Sequence, residues 1–154
     1  MLGSLAQVDL AARRERFYRA FAKLHTRLLL QTNGRPEHLT LRLRCLVLET
    51  VGRNSGRPHR VVLGYMPDGD AFVVLASNFG QDQAPAWWQN LLAQPEASVR
   101  VAGRRVAVRA RELTGHERAA MVSRAMTHNK QWRAYATTMR RRLPVIRLER
   151  QVHV

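Results

Sequence analysis

The order of apolar and polar positions separates a helical beginning of the chain from a strand-rich remainder. Over residues 9–31 apolar side chains recur every three or four positions, and basic side chains crowd the remaining faces. The apolar positions are Phe17, Phe21, Leu24 and Leu28. This pattern predicts an amphipathic helix, which either covers the core of the folded domain or lies on an anionic membrane surface. We expect residues 1–35 to form this N-terminal segment and residues 36–154 to form the domain.

After residue 36 the pattern becomes that of short strands separated by turns that contain glycine and proline. The predicted strands cover residues 45–51, 61–66, 72–76, 98–101, 105–111 and 144–148. Pro85 stands where a helix begins, and Thr114 and Glu117 have the spacing of a capping box. A helix is predicted after each of these signals and another over residues 130–141. The sequence therefore predicts an α+β fold, mainly antiparallel β: a barrel of about six strands flanked by helices.

Composition narrows the class of protein. The chain has 154 residues, which suits one domain with a core of its own. Its single cysteine, Cys45, excludes a disulfide framework and a cysteine-based zinc site. No apolar run reaches the roughly 18 residues of a membrane span, and the N-terminus lacks the apolar core of a signal peptide. A cytoplasmic location is therefore expected.

The charge is strongly unbalanced. The sequence contains 26 Lys+Arg against 11 Asp+Glu, a formal net charge of +15, and the only lysines are Lys23 and Lys130. The arginine excess either reflects the codon usage of a GC-rich genome or attracts an anion such as nucleic acid, acidic lipid or a polyanionic cofactor. A nucleic-acid site would need a basic stripe with stacking aromatics, whereas these arginines are spread along the chain. No nucleic-acid partner is expected.

The loop of residues 52–58 is the strongest candidate for anion binding. Two glycines let its backbone bend, so that consecutive N–H groups can form an anion-binding nest. Arg53, Ser55, Arg57 and Arg60 add side-chain donors, and charge-assisted hydrogen bonds contribute about 1.5–3 kcal/mol each. The loop lacks the Gly-Lys-Ser/Thr end of a Walker motif. The alternative is an ordinary solvated turn between two strands.

Polar residues at a strand end, followed by two tryptophans, are consistent with a rim for a flat ring. Ser77, Asn78 and Phe79 follow the end of the third predicted strand, and Trp87 and Trp88 come after them on a helix. Adjacent helix positions point about 100° apart, so the two tryptophans cannot face one site. One of them is expected in the core, and the alternative is that both pack there.

The C-terminal helix offers a second aromatic pair. Trp132 and Tyr135 are three positions apart and share one face, so they either cap a pocket or pack in the core. None of the six histidines has a partner at metal-ligand spacing, and no metal is assigned. The acidic residues are few and scattered, which argues against hydrolysis by paired carboxylates.

Taken together, these segments resemble the deazaflavin-dependent nitroreductase family, actinobacterial proteins that use coenzyme F-420. Each piece is weak by itself, but their order and spacing over residues 43–149 are specific. The pieces are residues 46–58 (LVLETVGRNSGRP), 63–65 (LGY), 67–69 (PDG), 74–78 (VLASN), 85–91 (PAWWQNL), Pro95, 110–115 (ARELTG) and 142–145 (RLPV).

The resemblance implies a split β-barrel oxidoreductase. It implies hydride transfer from the reduced deazaflavin to a quinone, a nitro-aromatic or another conjugated acceptor. Trp132 and Tyr135 would line the substrate side, where Tyr135 would orient the acceptor or pass a proton to it, with His128 as a weaker candidate. The residues that would bind the cofactor are Arg53, Asn54, Ser55, Gly56, His59, Arg60, Val61, Val62, Leu63, Ser77, Asn78, Phe79, Trp87, Trp88 and Asn90.

Three positions depart from the family pattern. Asn54 stands where lysine is usual, His59 where arginine is usual, and Val62 where proline is common. The first two changes bear on the affinity for the cofactor phosphate. A second hypothesis is therefore a non-redox binding module of the same barrel that carries an apolar ligand, heme or FMN, with peripheral membrane contact through residues 9–31. Barrels of this type are often dimers, which leaves a homodimer open.

Overall fold

The structure is a computed structural model that describes residues 23, 24, 26–28, 30, 31, 44–78, 81–138 and 141–152. From residue 44 onward its described part contains six strands and three helices. The strands are β1 (Arg44–Val51), β2 (Pro58–Asp68), β3 (Ala71–Leu75), β4 (Glu96–Val101), β5 (Arg104–Glu112) and β6 (Val145–Arg150). The helices are α1 (Ala86–Ala93), α2 (Gly115–His128) and α3 (Lys130–Thr138).

The six strands form one closed barrel in the order β1–β2–β3–β6–β5–β4. Every neighbouring pair is antiparallel, and the pairing of β1 with β4 completes the ring. Within the described strands, β3 pairs only with residues 66–68 of β2, so the earlier part of β2 is paired with β1 alone and its other edge faces the cavity described below. The predicted α+β architecture, a mainly antiparallel barrel flanked by helices, is confirmed.

The barrel interior is filled by alternate residues of the strands. Leu46 and Leu48 of β1 point inward and are completely buried. Helix α1 adds Trp87, Trp88 and Leu91 to the same apolar cluster. The core therefore fixes α1 against the barrel, and both tryptophans are buried rather than only one.

A second apolar cluster lies outside the barrel, beneath α2 and α3. Val73 and Leu75 of β3 pack there with Ala125 of α2, and Trp132 of α3 packs against the cluster. Phe72 and Val74, which alternate with these residues along β3, belong to the cluster in the barrel interior, so this strand is buried on both faces. That explains why its sequence is apolar throughout.

Several predicted boundaries differ from the structure; for example, β4 begins at Glu96 rather than at residue 98, and β6 ends at Arg150 rather than at residue 148. Strand β2 begins at Pro58 rather than at residue 61, because its pairing with β1 continues to the end of that strand. The described part of the last predicted helix ends at Thr138, before residue 141. Pro85 is the N-cap of α1 and not its first helical residue.

The predicted capping box of α2 is wrong in its hydrogen bonds. Thr114 is the N-cap residue, but its side chain makes no capping hydrogen bond. The carboxylate of Glu117 instead accepts a hydrogen bond from Arg111 of β5 at 3.0 Å. A charged guanidinium is a stronger donor than a backbone N–H, which explains why Glu117 turns toward β5.

The predicted N-terminal helix over residues 9–31 lies mostly outside the described residues. Those that are described, residues 23, 24, 26–28, 30 and 31, are helical. The expected boundary between residues 35 and 36 lies outside the described part too. No helix in the described stretches is both long enough and apolar enough to cross a membrane.

Candidate functional site

A cavity of about 680 Å³ lies where the β1–β2 loop, strand β2, the end of β3, α1 and α3 meet. Most of the sequence-predicted residues line it. They are Arg53, Asn54, Ser55, His59, Arg60, Val61, Val62, Leu63, Ser77, Asn78, Trp87, Asn90 and Trp132. The structure thus brings together segments that are up to about 80 residues apart in the chain.

Four of the residues implied for the cofactor and the acceptor are not placed on this cavity, and neither is Arg57, which was predicted as an anion donor of the loop. Gly56 and Trp88 are described but do not line it, since Trp88 packs in the barrel interior. Phe79 lies outside the described residues, and for Tyr135 the structure describes the backbone within α3 but not the side chain. His128, the weaker candidate, likewise has no described side chain.

The predicted site residues leave out five that line the cavity, namely Gly52, Gly64, Leu75, Pro85 and Ala86, although Gly52 begins the loop predicted to bind an anion. Two of them are glycines, which present backbone instead of a side chain to the cavity. Two of them, Gly52 and Ala86, directly precede the predicted site residues Arg53 and Trp87, and Pro85 precedes Ala86. Proximity to Arg53 and Trp87 was therefore the signal that could have found them.

The cationic end of the cavity consists of Arg53, Ser55, His59 and Arg60. Arg53 is held by Asn90 of α1, whose side-chain oxygen Oδ1 accepts from the Arg53 backbone N–H at 3.2 Å and from Nη1 at 3.0 Å. The Asn90 amide nitrogen donates to Thr50 Oγ1 at 3.1 Å. Asn90 and Thr50 are both buried, so the amide is satisfied inside the protein.

Several backbone N–H groups of the loop are bonded within the protein, which removes them from the predicted nest. The N–H of Gly52 donates to the Arg57 carbonyl, and the N–H of Gly56 donates to the Gly52 carbonyl, both at 2.8 Å. The N–H of Arg57 donates to Ser55 Oγ at 3.2 Å. With Arg53 N–H bonded to Asn90, the side chains and the N–H groups of Asn54 and Ser55 are left to bind an anion here.

Ser55 and His59 meet across the loop. Ser55 Oγ lies 3.3 Å from His59 Nε2. A methyl group added at Gly52 would come within 2.5 Å of Ser55 Oγ and 2.6 Å of His59 Nε2. Glycine at position 52 therefore leaves room for this side-chain pair at the mouth of the cavity.

Arg60 is shared between the cavity and the barrel wall. It lies opposite Glu49 in the β1–β2 register, and its Nε donates to Glu49 Oε2 at 2.7 Å. Arg105 of β5 donates to the other carboxylate oxygen at 3.3 Å. The hydrogen bond from Arg60, together with the charges of Arg60, Arg105 and Arg100, holds the pKa of Glu49 below its ordinary value despite partial burial. Glu49 thus neutralises part of the charge that Arg60 brings.

The remaining wall is apolar and aromatic. Val61, Val62 and Leu63 of β2 lie along it, and Trp87 and Trp132 come from α1 and α3. We call Ser77 and Asn78 the rim. Asn78 adopts a left-handed conformation with φ of 46°, and its Nδ2 donates to the Gln83 carbonyl at 2.8 Å. Asparagine tolerates this conformation better than most side chains, which suits it to the position.

The cavity therefore has a cationic end and an aromatic, apolar wall. That arrangement suits a ligand with an anionic group at one end and a flat ring at the other. Among the described residues no group of three histidine, cysteine, aspartate or glutamate side chains is placed to hold a metal ion.

Comparison with known proteins points to a redox family. A family model described as F420H(2)-dependent quinone reductase matches residues 19–150. An F420H(2)-dependent quinone reductase of Mycobacterium tuberculosis (strain H37Rv) is 33% identical over 96 residues, which are 62% of this chain. The chain spans 64% of the length of the curated relatives with this similarity.

Solved structures show the same architecture. The structure of an F420-H2 dependent reductase (FDR-A) is 28% identical with a TM-score of 0.63, covering 68% of this chain and 93% of that one. A domain-swapped dimer is 25% identical with a TM-score of 0.65, covering 92% and 99%. The heme storage protein HutZ of Vibrio cholerae, 11% identical with a TM-score of 0.55 over 81% and 89%, shares the fold alone.

Proposed function

The chain belongs to the F420H(2)-dependent quinone reductase family, and from this premise we propose that it uses coenzyme F-420 to reduce a quinone. The observation that carries the proposal is the coincidence of two findings. The family match covers residues 19–150, and within that range the cavity joins a cationic end to an aromatic wall. A deazaflavin with a phosphate-bearing tail has these two chemical parts.

We assign the cofactor phosphate to the cationic end. Arg53 is held in place by a neutral amide, so its positive charge is not offset by that contact. Ser55, His59 and the partly neutralised Arg60 add donors around it. The deazaflavin ring would lie along the β2 residues of the apolar wall, between the rim and Trp87.

When bound, the reduced coenzyme supplies a hydride. A quinone that takes up this hydride and one proton becomes a hydroquinone, so the chain needs only to orient the acceptor and admit a proton. Trp132 lines the cavity and would contact the acceptor ring. Tyr135 stays our sequence-based candidate for orienting the acceptor or passing the proton. Nitro-aromatic and other conjugated acceptors would likewise take up a hydride and a proton.

The non-redox alternative is not favoured. It would make this barrel a carrier of heme, FMN or an apolar ligand, and the likeness to a heme storage protein at 11% identity concerns the fold alone. The matching family and the 33% identical relative are both described as F420H(2)-dependent quinone reductases.

Two finer proposals concern assembly and location. A homodimer is supported by the 25% identical structure described as a domain-swapped dimer. We keep the cytoplasm as the proposed location, on the sequence arguments alone. Peripheral membrane contact through residues 9–31 has no support beyond the amphipathic pattern, and co-sedimentation of the full chain with anionic vesicles would test it.

The deciding experiment is titration of the purified protein with oxidised coenzyme F-420, followed by the fluorescence of the coenzyme, with FMN and heme in parallel. Saturable binding in the micromolar range or tighter, with F-420H2-dependent reduction of a soluble quinone, is the expected result. Arg53→Gln should weaken binding at least about tenfold, the scale of one charge-assisted hydrogen bond. Arg57→Gln is the matched control, because Arg57 belongs to the same loop but does not line the cavity.

Asn54 and His59, the two departures that bear on the cofactor phosphate, give a second comparison. If wild-type protein binds FMN or heme and binds F-420 only after Asn54→Lys and His59→Arg, the natural ligand is not the deazaflavin and the proposal fails. If wild type already binds F-420, the same substitutions should strengthen binding about two- to fivefold, as expected for added charges exposed to solvent.

A further inference from the structure

One arginine behind the cavity binds three carbonyl oxygens around the rim. Arg141 donates from Nε to the Gln81 carbonyl at 3.0 Å. Its Nη2 donates to the carbonyls of Ala76 at 2.8 Å and Ser77 at 3.1 Å. The N–H of Ala76 in turn donates to the Pro144 carbonyl at 3.0 Å. The end of β3 is therefore fixed by the segment that joins α3 to β6.

The geometry requires arginine in particular. A guanidinium is planar and carries five N–H donors in a fixed fork, so one side chain can reach carbonyls on both sides of a bend. A lysine ammonium is a point charge on a flexible stem and cannot hold three carbonyls in the same arrangement. The contacts of Arg141 are charge-assisted, which makes them stronger than neutral hydrogen bonds.

The carbonyls that Arg141 binds belong to the backbone that presents the rim. Ser77 is both a partner of Arg141 and a lining residue, and Asn78 follows it with its left-handed φ. Arg141 itself does not line the cavity. It therefore acts on the site through the backbone that it holds.

We propose that Arg141 is a positioning residue that fixes the rim, Ser77 and Asn78, against the cofactor ring. The proposal rests on the proposed function, since it takes F-420 as the ligand of the cavity. The segment that holds the rim follows α3, which carries Trp132, another residue that lines the cavity.

The test compares Arg141→Gln, Arg141→Lys and Arg142→Gln. Arg142 is the matched control because it is the adjacent arginine, exposed, with Nη1 at 3.8 Å from Glu112 Oε1. Its removal changes the net charge of the protein by the same amount but leaves the rim carbonyls bound. An exposed ion pair of this kind contributes little to stability.

Two readouts separate positioning from general stability. Hydrogen–deuterium exchange of residues 76–84 without coenzyme should rise in Arg141→Gln and stay at the wild-type rate in Arg142→Gln. The dissociation constant for oxidised F-420 should rise about tenfold in Arg141→Gln, as expected when charge-assisted hydrogen bonds no longer hold the rim. Arg141→Lys should lie between wild type and Arg141→Gln in both measurements.

Each opposing outcome has a distinct meaning. Wild-type affinity in Arg141→Gln would overturn the proposal, and so would wild-type behaviour of Arg141→Lys, since attraction by charge alone would then suffice. If Arg141→Gln lacks a cooperative thermal transition, Arg141→Lys decides by the same criterion. Failure of wild type to bind F-420 would instead overturn the proposed function, while the exchange measurement on the protein without coenzyme would still show whether Arg141 holds the rim.

Discussion

Asn90 is buried in α1, and both ends of its side-chain amide are bonded to the β1 side of the cavity. Its oxygen accepts two hydrogen bonds from Arg53, and its nitrogen donates to Thr50. The two lone pairs of the amide oxygen are then used, and one N–H of the amide nitrogen is left. Asn90 therefore supports the site by holding the guanidinium to which we assign the cofactor phosphate.

We expect Asn90→Ala to weaken F-420 binding about tenfold, because Arg53 loses the acceptor that orders it. A double-mutant cycle with Arg53→Ala distinguishes this indirect role from direct contact. If Asn90 acts through Arg53, the double variant binds no more weakly than Arg53→Ala alone. Additive losses in the titration would show that Asn90 touches the coenzyme itself.

At the scale of elements, α1 is fixed by one apolar side that faces into the barrel. Leu91 is 2% exposed and packs in the interior cluster, whereas its neighbour Leu92 is 62% exposed. Leu91→Ala should lower the free energy of unfolding by about 2–5 kcal/mol, because it leaves a cavity in the core. Leu92→Ala is the matched control and should change it by less than about 0.5 kcal/mol. Equal effects in chemical denaturation would contradict this account of how α1 is anchored.

The carboxylate of Glu49 joins strands β1, β2 and β5 through Arg60 and Arg105. Its lowered pKa means that the unfolded chain takes up a proton at a higher pH than the folded protein does. The stabilisation is complete above the ordinary glutamate pKa and is lost as the pH falls through the lower, folded-state value. Glu49→Gln should therefore lower the free energy of unfolding by up to about 1 kcal/mol at neutral pH. This difference should disappear in strong acid.

Thermal unfolding of both proteins between neutral and acid pH measures this difference. Glu96→Gln serves as control, since Glu96 pairs with Arg109 where both side chains are about half exposed. Such an exposed ion pair contributes little to the free energy of unfolding. A constant gap between wild type and Glu49→Gln at all pH values would show that the substitution acts by packing rather than through the ion pair.

The elements themselves were largely predictable, and the contacts between distant segments were not. Alternation identified β5, and glycine and proline marked the turns, because these signals are local. The capping box failed because Glu117 meets Arg111 of β5 only in the folded barrel. Arg141 gave no local signal at all, since its partners at Ala76 and Ser77 are 64–65 positions away.

At the scale of the whole molecule, the positive charge is unevenly compensated. On the barrel wall Arg105, Arg109 and Arg147 each have a carboxylate partner. Arg53 at the cavity is instead bonded to the neutral amide of Asn90. The net charge of +15 therefore attracts anions to the molecule in general, while the pairing pattern leaves charge available at the cationic end in particular.

This distribution predicts that F-420 binding weakens as salt is added, since the Debye length falls from about 30 Å at 0.01 M to about 3 Å at 1 M. The matched ligand is the deazaflavin chromophore without its phosphate and glutamate tail, whose affinity should change little over the same range. Fluorescence titrations of both ligands measure the two slopes. Arg53→Gln should flatten the slope for F-420, and Arg109→Gln, on the far wall, should leave it nearly unchanged. Equal salt dependences for the two ligands would mean that the ring rather than the charged tail supplies the binding energy. That result would argue against an anion site at the β1–β2 loop.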